Sequence, residues 1–192
     1  HPTSGLHKNR PAIFILAPPR SGTTLIRVML AGHPDLFAAN ELQLLGFNDL
    51  QERGAAYQGK FKLWSEGLIR AVMELQDLTA DEAKSLIQRY EQAGYSTKEV
   101  YRQIQDWIGD LILVDKSPSY ALELEVLQKA ELDFDNALYI HLVRHPYSMV
   151  RSLEKYHLDQ VLYLKDHDYP AQELGELVWL HSHRNIVQFL KN

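Results

Sequence analysis

The sequence contains no cysteine. That excludes a disulfide framework and thiolate metal sites, and it fits a reducing, cytoplasmic setting. No apolar run approaches the roughly 18 residues that a membrane-crossing helix needs, and the start does not read as a secretory signal. Positive charge is also scarce: 20 Lys and Arg against 25 Asp and Glu give a formal net charge of -5. A general nucleic-acid binder rests on a basic surface, so the balance argues against one, and any anion site must be local. What is present is ordinary globular composition, with 45% hydrophobic and 23% charged residues in a chain of 192. This suits one domain with a sizeable core. Residues 1–10, opening His1-Pro2-Thr3-Ser4-Gly5, read as a linker, and residues 11–192 as the domain.

Three short apolar runs, Ile13 to Ala17, Leu111 to Val114 and Ala137 to Val143, have the composition of strands buried in a parallel sheet. A fourth, Leu36 to Ala39, resembles a short second strand. Between them lie helical patterns. Thr79 with Glu82 and Ser96 with Glu99 both match the capping box, and Val100, Ile104, Trp107 and Ile108 share one helical face. Further helices are expected from Pro146 and from about Ala171 to Leu190. Strands alternating with helices predict an α/β domain: a P-loop-like central parallel sheet flanked by helices. The block from Phe47 to Gly109 is a helical insertion, read either as a cap over a substrate cleft or as helices filling one side of the sheet.

The stretch "APPRSGTTLIRVML", residues 17–30, follows the first strand and enters a helix. Such a turn aims unpaired N–H groups, and the positive end of a helix dipole, at one point. Gly22 allows close approach, Ser21, Thr23 and Thr24 add hydroxyls, and Arg20 adds charge. The loop nevertheless lacks the Lys and the extra glycines of a nucleoside-triphosphate P-loop, so a plain polar helix start is the alternative. "LVRHPYSMVRS", residues 142–152, follows another strand and places Arg144 and Ser152 as a second oxyanion clamp.

Together, "PRSGTTL" and "RHPYSMVRS" resemble the sulfotransferase family. The first is similar to its 5′-phosphosulfate loop and the second to its 3′-phosphate segment. The resemblance implies that the chain binds 3′-phosphoadenosine 5′-phosphosulfate, releases 3′-phosphoadenosine 5′-phosphate, and needs no metal. It looks most like the sulfotransferase domain of bacterial olefin-forming modular polyketide synthases. That implies as acceptor the 3-hydroxyl of an acyl chain on an acyl carrier protein, with a neighbouring thioesterase acting on the product.

Sulfuryl transfer needs an in-line nucleophile and stabilised oxygens, so positioning and electrostatics should dominate. Glu41, just after the expected second strand, is the candidate base that takes the hydroxyl proton. Its alternative is a Glu in the first turn of a helix over Leu42 to Phe47. The segment "NELQLL" resembles the Glu-containing segment of polyketide and glycan-modifying sulfotransferases. His183, in "LVWLHSHRNI", resembles a His of the polyketide type and is expected to bond an acceptor or sulfate oxygen; an ordinary packing His is the alternative. Lys116 and Ser117 in "VDKSPSY" resemble a Lys-Ser/Thr-Pro segment and are expected to contact donor or acceptor, the alternative being a solvated Lys beside a turn-capping Asp115.

The resemblance also implies a basic, glycine-containing segment after the last helix. These residues do not contain it, so a carboxyl-terminal part of the domain is expected beyond them. Residues 156–169 suit a lid over the acceptor. Three rivals remain: transfer to a glycan or protein hydroxyl, an ATP-dependent phosphotransferase, and a non-catalytic module of the same fold.

Overall fold

In a computed structural model, residues 7–157 and 168–191 are described. Four strands, β1 (Ala12–Leu16), β2 (Leu36–Ala38), β3 (Ile112–Asp115) and β4 (Leu138–His141), form one sheet in the order β2-β3-β1-β4. Every pairing is parallel, with Ile13 opposite both Val114 and Leu138, and Leu16 opposite His141. β1 is apolar throughout, as flanking helices on both faces require, and Phe14, Ile15 and Leu16 are buried. Because β1 lies between β3 and β4, the loop that follows it emerges at the sheet centre, beside the carboxyl ends of both neighbours. Open α/β sheets bind ligands in that kind of crevice.

Eight helices complete the described fold: α1 (Thr23–Ala31), α2 (Leu50–Ala56), α3 (Glu66–Gln76), α4 (Ala80–Gln92), α5 (Thr97–Trp107), α6 (Leu124–Asp133), α7 (Pro146–Lys155) and α8 (Ala171–Leu190). Both capping boxes form, on α4 and α5, each with reciprocal bonds between the hydroxyl residue and the Glu three positions on. The main core joins Phe14 and Leu113 of the sheet to Tyr101 and Ile104 of α5 and to Phe134 after α6. Phe134 meets Phe14 edge-on at 5.2 Å and Tyr101 at 5.0 Å between ring centroids.

The helical block 47–109 divides between the sheet and a cavity. Its α5 fills one side of the sheet, while a 3-10 turn, Gly59–Ser65, and the start of α3 wall a cleft. The packed chain begins before residue 11: Asn9 is buried, its N–H donates to the Asp133 carbonyl at 2.7 Å, and its own carbonyl accepts from Asp135. The lid expected over 156–169 falls mostly on residues 158–167, which lie outside the described residues. No helix among the described residues is long and apolar enough to cross a membrane.

Candidate active site

The loop after β1 contains two left-handed residues, Arg20 at φ 65° and Gly22 at φ 91°. Gly22 takes that conformation freely, whereas Arg20 pays about 1 kcal/mol for it. A contact from another strand end holds Arg20 there: Arg144 Nη1 donates to the Arg20 carbonyl at 2.7 Å. α1 then starts with Gly22 as N-cap, no side-chain cap and no acidic residue in its first turn. Its leading N–H groups and the dipole therefore face the cleft uncompensated. The Ser21 hydroxyl is buried just beneath this loop, outside the lining of the cleft, and has no hydrogen-bond partner among the described residues. Thr23 and Thr24 line the cleft itself, a cavity of about 850 Å³.

α7 begins at Pro146, a residue suited to a first turn, and carries Ser152 back toward the loop. Arg20 Nε donates to Ser152 Oγ at 2.9 Å. A second cavity, of about 730 Å³, is lined by Arg20, Arg144, Arg151, Ser152, Glu154, Lys155 and Tyr156. Arg20 and Arg144 line both cavities, so the residues of the two expected clamps lie side by side. The Arg20 guanidinium also lies 4.4 Å from the centre of the Tyr156 ring, a cation–π contact. Sequence reasoning missed Arg151, Lys155 and Tyr156, although their spacing on one helical stretch was visible.

Glu41 lies on the other wall of the larger cavity and pairs with Lys116 Nζ. Lys116 is almost fully buried, while the Glu41 side chain keeps 34% exposure toward the cleft. The alternative helix over Leu42 to Phe47 does not form: Gln43 is left-handed at φ 51° and the segment is irregular. Its backbone groups are satisfied sideways instead. Gln43 N–H donates to Ser117 Oγ at 3.1 Å, and Leu44 and Leu45 N–H donate to Tyr120 OH at 3.0 and 3.2 Å. Arg53 donates to the Gln43 and Leu42 carbonyls, each at 3.0 Å.

Comparison with known proteins decides what this arrangement belongs to. The sulfotransferase family model matches residues 11–190. The chain belongs to the sulfotransferase family. Among solved structures, the sulfotransferase domain from the curacin biosynthetic pathway is 40% identical with a TM-score of 0.88, the match covering 97% of this chain and 64% of that one. The sulfotransferase domain from the Synechococcus PCC 7002 olefin synthase is 38% identical with a TM-score of 0.85, covering 95% and 62%. Nodulation protein NoeE of Sinorhizobium fredii (strain NBRC 101917 / NGR234) is 30% identical over 145 residues, which are 73% of this chain and 30% of that protein. The chain thus spans less than two thirds of the length of these relatives.

Three expected residues of this sulfotransferase chain, Ser21, Ser117 and His183, are absent from the lining of the two cavities. Ser117 is buried and donates to Asp115 Oδ1 at 3.0 Å, so it braces the Glu41 segment and does not line the cavity. Asp115 is fully buried; it accepts from Tyr101 OH at 2.5 Å and Tyr120 OH at 2.9 Å, and burial pushes its carboxyl up to about 6 despite these bonds. Asp115 is therefore an internal strut, and Lys116 is a buried partner of Glu41 where the sequence alternative was a solvated side chain. His183 does not line either cavity. Its Nδ1 meets His141 Nε2 at 2.8 Å, its Nε2 is buried without a partner among the described residues, and burial followed by the neighbouring His141 pushes it down to about 4. It packs on Trp179, whose Nε1–H donates to the Arg144 carbonyl at 2.9 Å.

Proposed function

We propose that this chain takes part in moving a sulfuryl group from 3′-phosphoadenosine 5′-phosphosulfate to an alcohol. The observation that carries the reading is the joining of the two anion clamps by the Arg20–Ser152 and Arg144–Arg20 hydrogen bonds, beside the Glu41–Lys116 pair. A ligand with two separate anionic ends fits it. The uncapped start of α1, the open space around Gly22 and the cavity-lining Thr23 and Thr24 fit one end, with the Ser21 hydroxyl just beneath them. Arg144 and Ser152, with Arg151 and Lys155 nearby, fit the other.

When bound, the donor supplies a sulfuryl group whose leaving oxygen departs as part of a phosphate, so no metal is expected. In this reading the loop amides with Ser21, Thr23 and Thr24 orient the 5′ end, and Arg20 stabilises charge there. Arg144 and Ser152 hold the 3′-phosphate. Glu41, fixed by Lys116, takes the proton of the acceptor hydroxyl. His183 acts at a distance, steadying Arg144 through Trp179.

The acceptor is assigned as the 3-hydroxyl of an acyl chain delivered by an acyl carrier protein, with a thioesterase as neighbour in the same pathway. Leu25, Val28, Leu63, Trp64 and Pro118 give the wall around Glu41 an apolar character that suits an acyl chain better than a sugar. Similarity to domains of the curacin pathway and an olefin synthase supports the same assignment. The test is transfer of radiolabelled sulfate to a 3-hydroxyacyl carrier protein, compared with an oligosaccharide and a tyrosine peptide. Labelling of the carrier protein supports the reading, and exclusive labelling of either other acceptor overturns the acceptor assignment.

A further inference from the structure

We infer that Gly67, at the start of α3, is a positioning residue for Glu41, and that the helical insertion sets the place of the base through it. The inference rests on the reading of Glu41 as the base. A glycine is not required here by backbone conformation, because only Gly22, Gly59, Gly94 and Gly109 among the described glycines have positive φ. It is required by space. A Cβ at position 67 would overlap the Glu41 carbonyl oxygen and stand 2.6 Å from its carbonyl carbon and 3.1 Å from its amide nitrogen. The obstructing atoms are backbone, so no rotamer change relieves the overlap, and Glu41 or α3 must move by about an ångström or more.

Glu41 is thus gripped on two sides. Lys116 holds its carboxylate from the sheet, and Gly67 lets the insertion press against its backbone. The following residues are tied to the same insertion, since Arg53 of α2 spans the Leu42 and Gln43 carbonyls and reaches the Trp64 carbonyl at 3.5 Å. Arg53 is itself buried, so this fork is an internal brace. A packing helix alone would not need backbone contact at a residue whose carboxylate, held by a buried lysine, faces the cleft.

Gly67→Ala tests this in the complete protein, with Gly46→Ala as control because a Cβ at 46 meets nothing within 4 Å. Hydrogen exchange at the amides of residues 43–45 requires no acceptor. It should accelerate by about tenfold in Gly67→Ala and stay unchanged in Gly46→Ala. Turnover with a 3-hydroxyacyl carrier protein should fall by about 10²-fold in Gly67→Ala, the scale expected for ångström misplacement, with affinity for 3′-phosphoadenosine 5′-phosphate unchanged. In a Glu41→Gln background the same substitution should cost little further, because its effect passes through Glu41. Unchanged exchange at 43–45, or equal losses of turnover in both backgrounds, would overturn the inference. Full turnover by Glu41→Gln alone would instead remove the base assignment beneath it, leaving the exchange measurement to judge the contact. If Gly67→Ala does not fold, Arg53→Lys tests the other half of the grip, that the insertion sets the place of Glu41: faster exchange at 43–45 with lower turnover supports it, and wild-type values of both overturn it, because a single ammonium cannot replace the fork on both carbonyls.

Discussion

Arg20 and Ser152 are hydrogen-bonded at 2.9 Å although 132 residues separate them in the chain. One belongs to the loop after the central strand and the other to the helix after an edge strand of this four-stranded sheet. Their contact brings together the two segments proposed to hold the two anionic ends of the donor. The same guanidinium contacts Tyr156, and its backbone carbonyl is held by Arg144. Each element of the site therefore depends on a partner from a distant stretch of sequence.

Ser21→Ala separates binding from stability. The buried hydroxyl has no partner, so removing it should leave the free protein equally stable or up to about 1 kcal/mol more stable. Binding of 3′-phosphoadenosine 5′-phosphosulfate should weaken by about 10-fold or more, the value of one hydrogen bond to a charged group. Calorimetric melting and ligand titration of the same preparation check both halves. Lower stability without loss of affinity would count against the loop as the donor site.

Glu41→Gln should reduce kcat by about 10²- to 10⁴-fold while nucleotide affinity stays within a factor of two or so. Lys116→Met should also lower kcat, because it frees the carboxylate from its buried partner. Steady-state kinetics with varied donor and acceptor distinguishes these outcomes from a general loss of folding.

The buried Asp115 gives a pH-dependent stability with a definite sign. Its carboxyl is raised from an ordinary 3.8 to about 6 by burial. The folded state thus holds the proton more tightly than the unfolded chain, and this contribution is complete below the ordinary value and lost as pH rises through about 6. The loss amounts to about 3 kcal/mol at one pKa unit per 1.36 kcal/mol. Asp115→Asn should abolish that fall, measured as the difference in denaturation free energy from wild type between pH 4 and pH 7. A difference independent of pH would contradict the buried-strut account.

His183 contributes with the opposite sign in an overlapping window. It is lowered from 6.5 to about 4, so its neutral form is favoured by folding. Stability from this group is present above its ordinary value and lost as pH falls toward 4, by up to about 3 kcal/mol. His183→Gln should therefore flatten the acid limb that Asp115→Asn leaves exposed. Guanidinium denaturation of the two single variants and the double variant across pH 4 to 7 resolves the two terms. If His183 served only on the surface, its replacement would leave that limb unchanged.

The strands and the last helix were legible because local pattern determines them. Apolar runs bounded by Pro, Asp and charge mark β1, β3 and β4 to within a few residues, and α8 occupies the expected Ala171–Leu190. The capping boxes were equally readable, since donor and acceptor are three residues apart. The segment after Glu41 was ambiguous for the converse reason. Its hydrogen bonds go to Arg53, 10 residues on, and to Ser117 and Tyr120, 74 and 76 residues away, and no periodic pattern pairs these side chains with its backbone. Gly67 looks like an ordinary glycine until the backbone of Glu41 is seen against it. His183 was expected to bond an acceptor or sulfate oxygen, whereas its ring partner, His141, lies 42 residues away on a strand end.

The most direct measurement is a titration of the purified protein with 3′-phosphoadenosine 5′-phosphate and, separately, with ADP, repeated for Arg144→Ala. The account predicts tighter binding of the 3′-phosphorylated ligand by about 10- to 100-fold, with most of that preference lost in the variant, as expected when a bidentate arginine–phosphate contact is removed. Equal affinity for the two nucleotides, or a preference that survives Arg144→Ala, would contradict a single site built from both clamps.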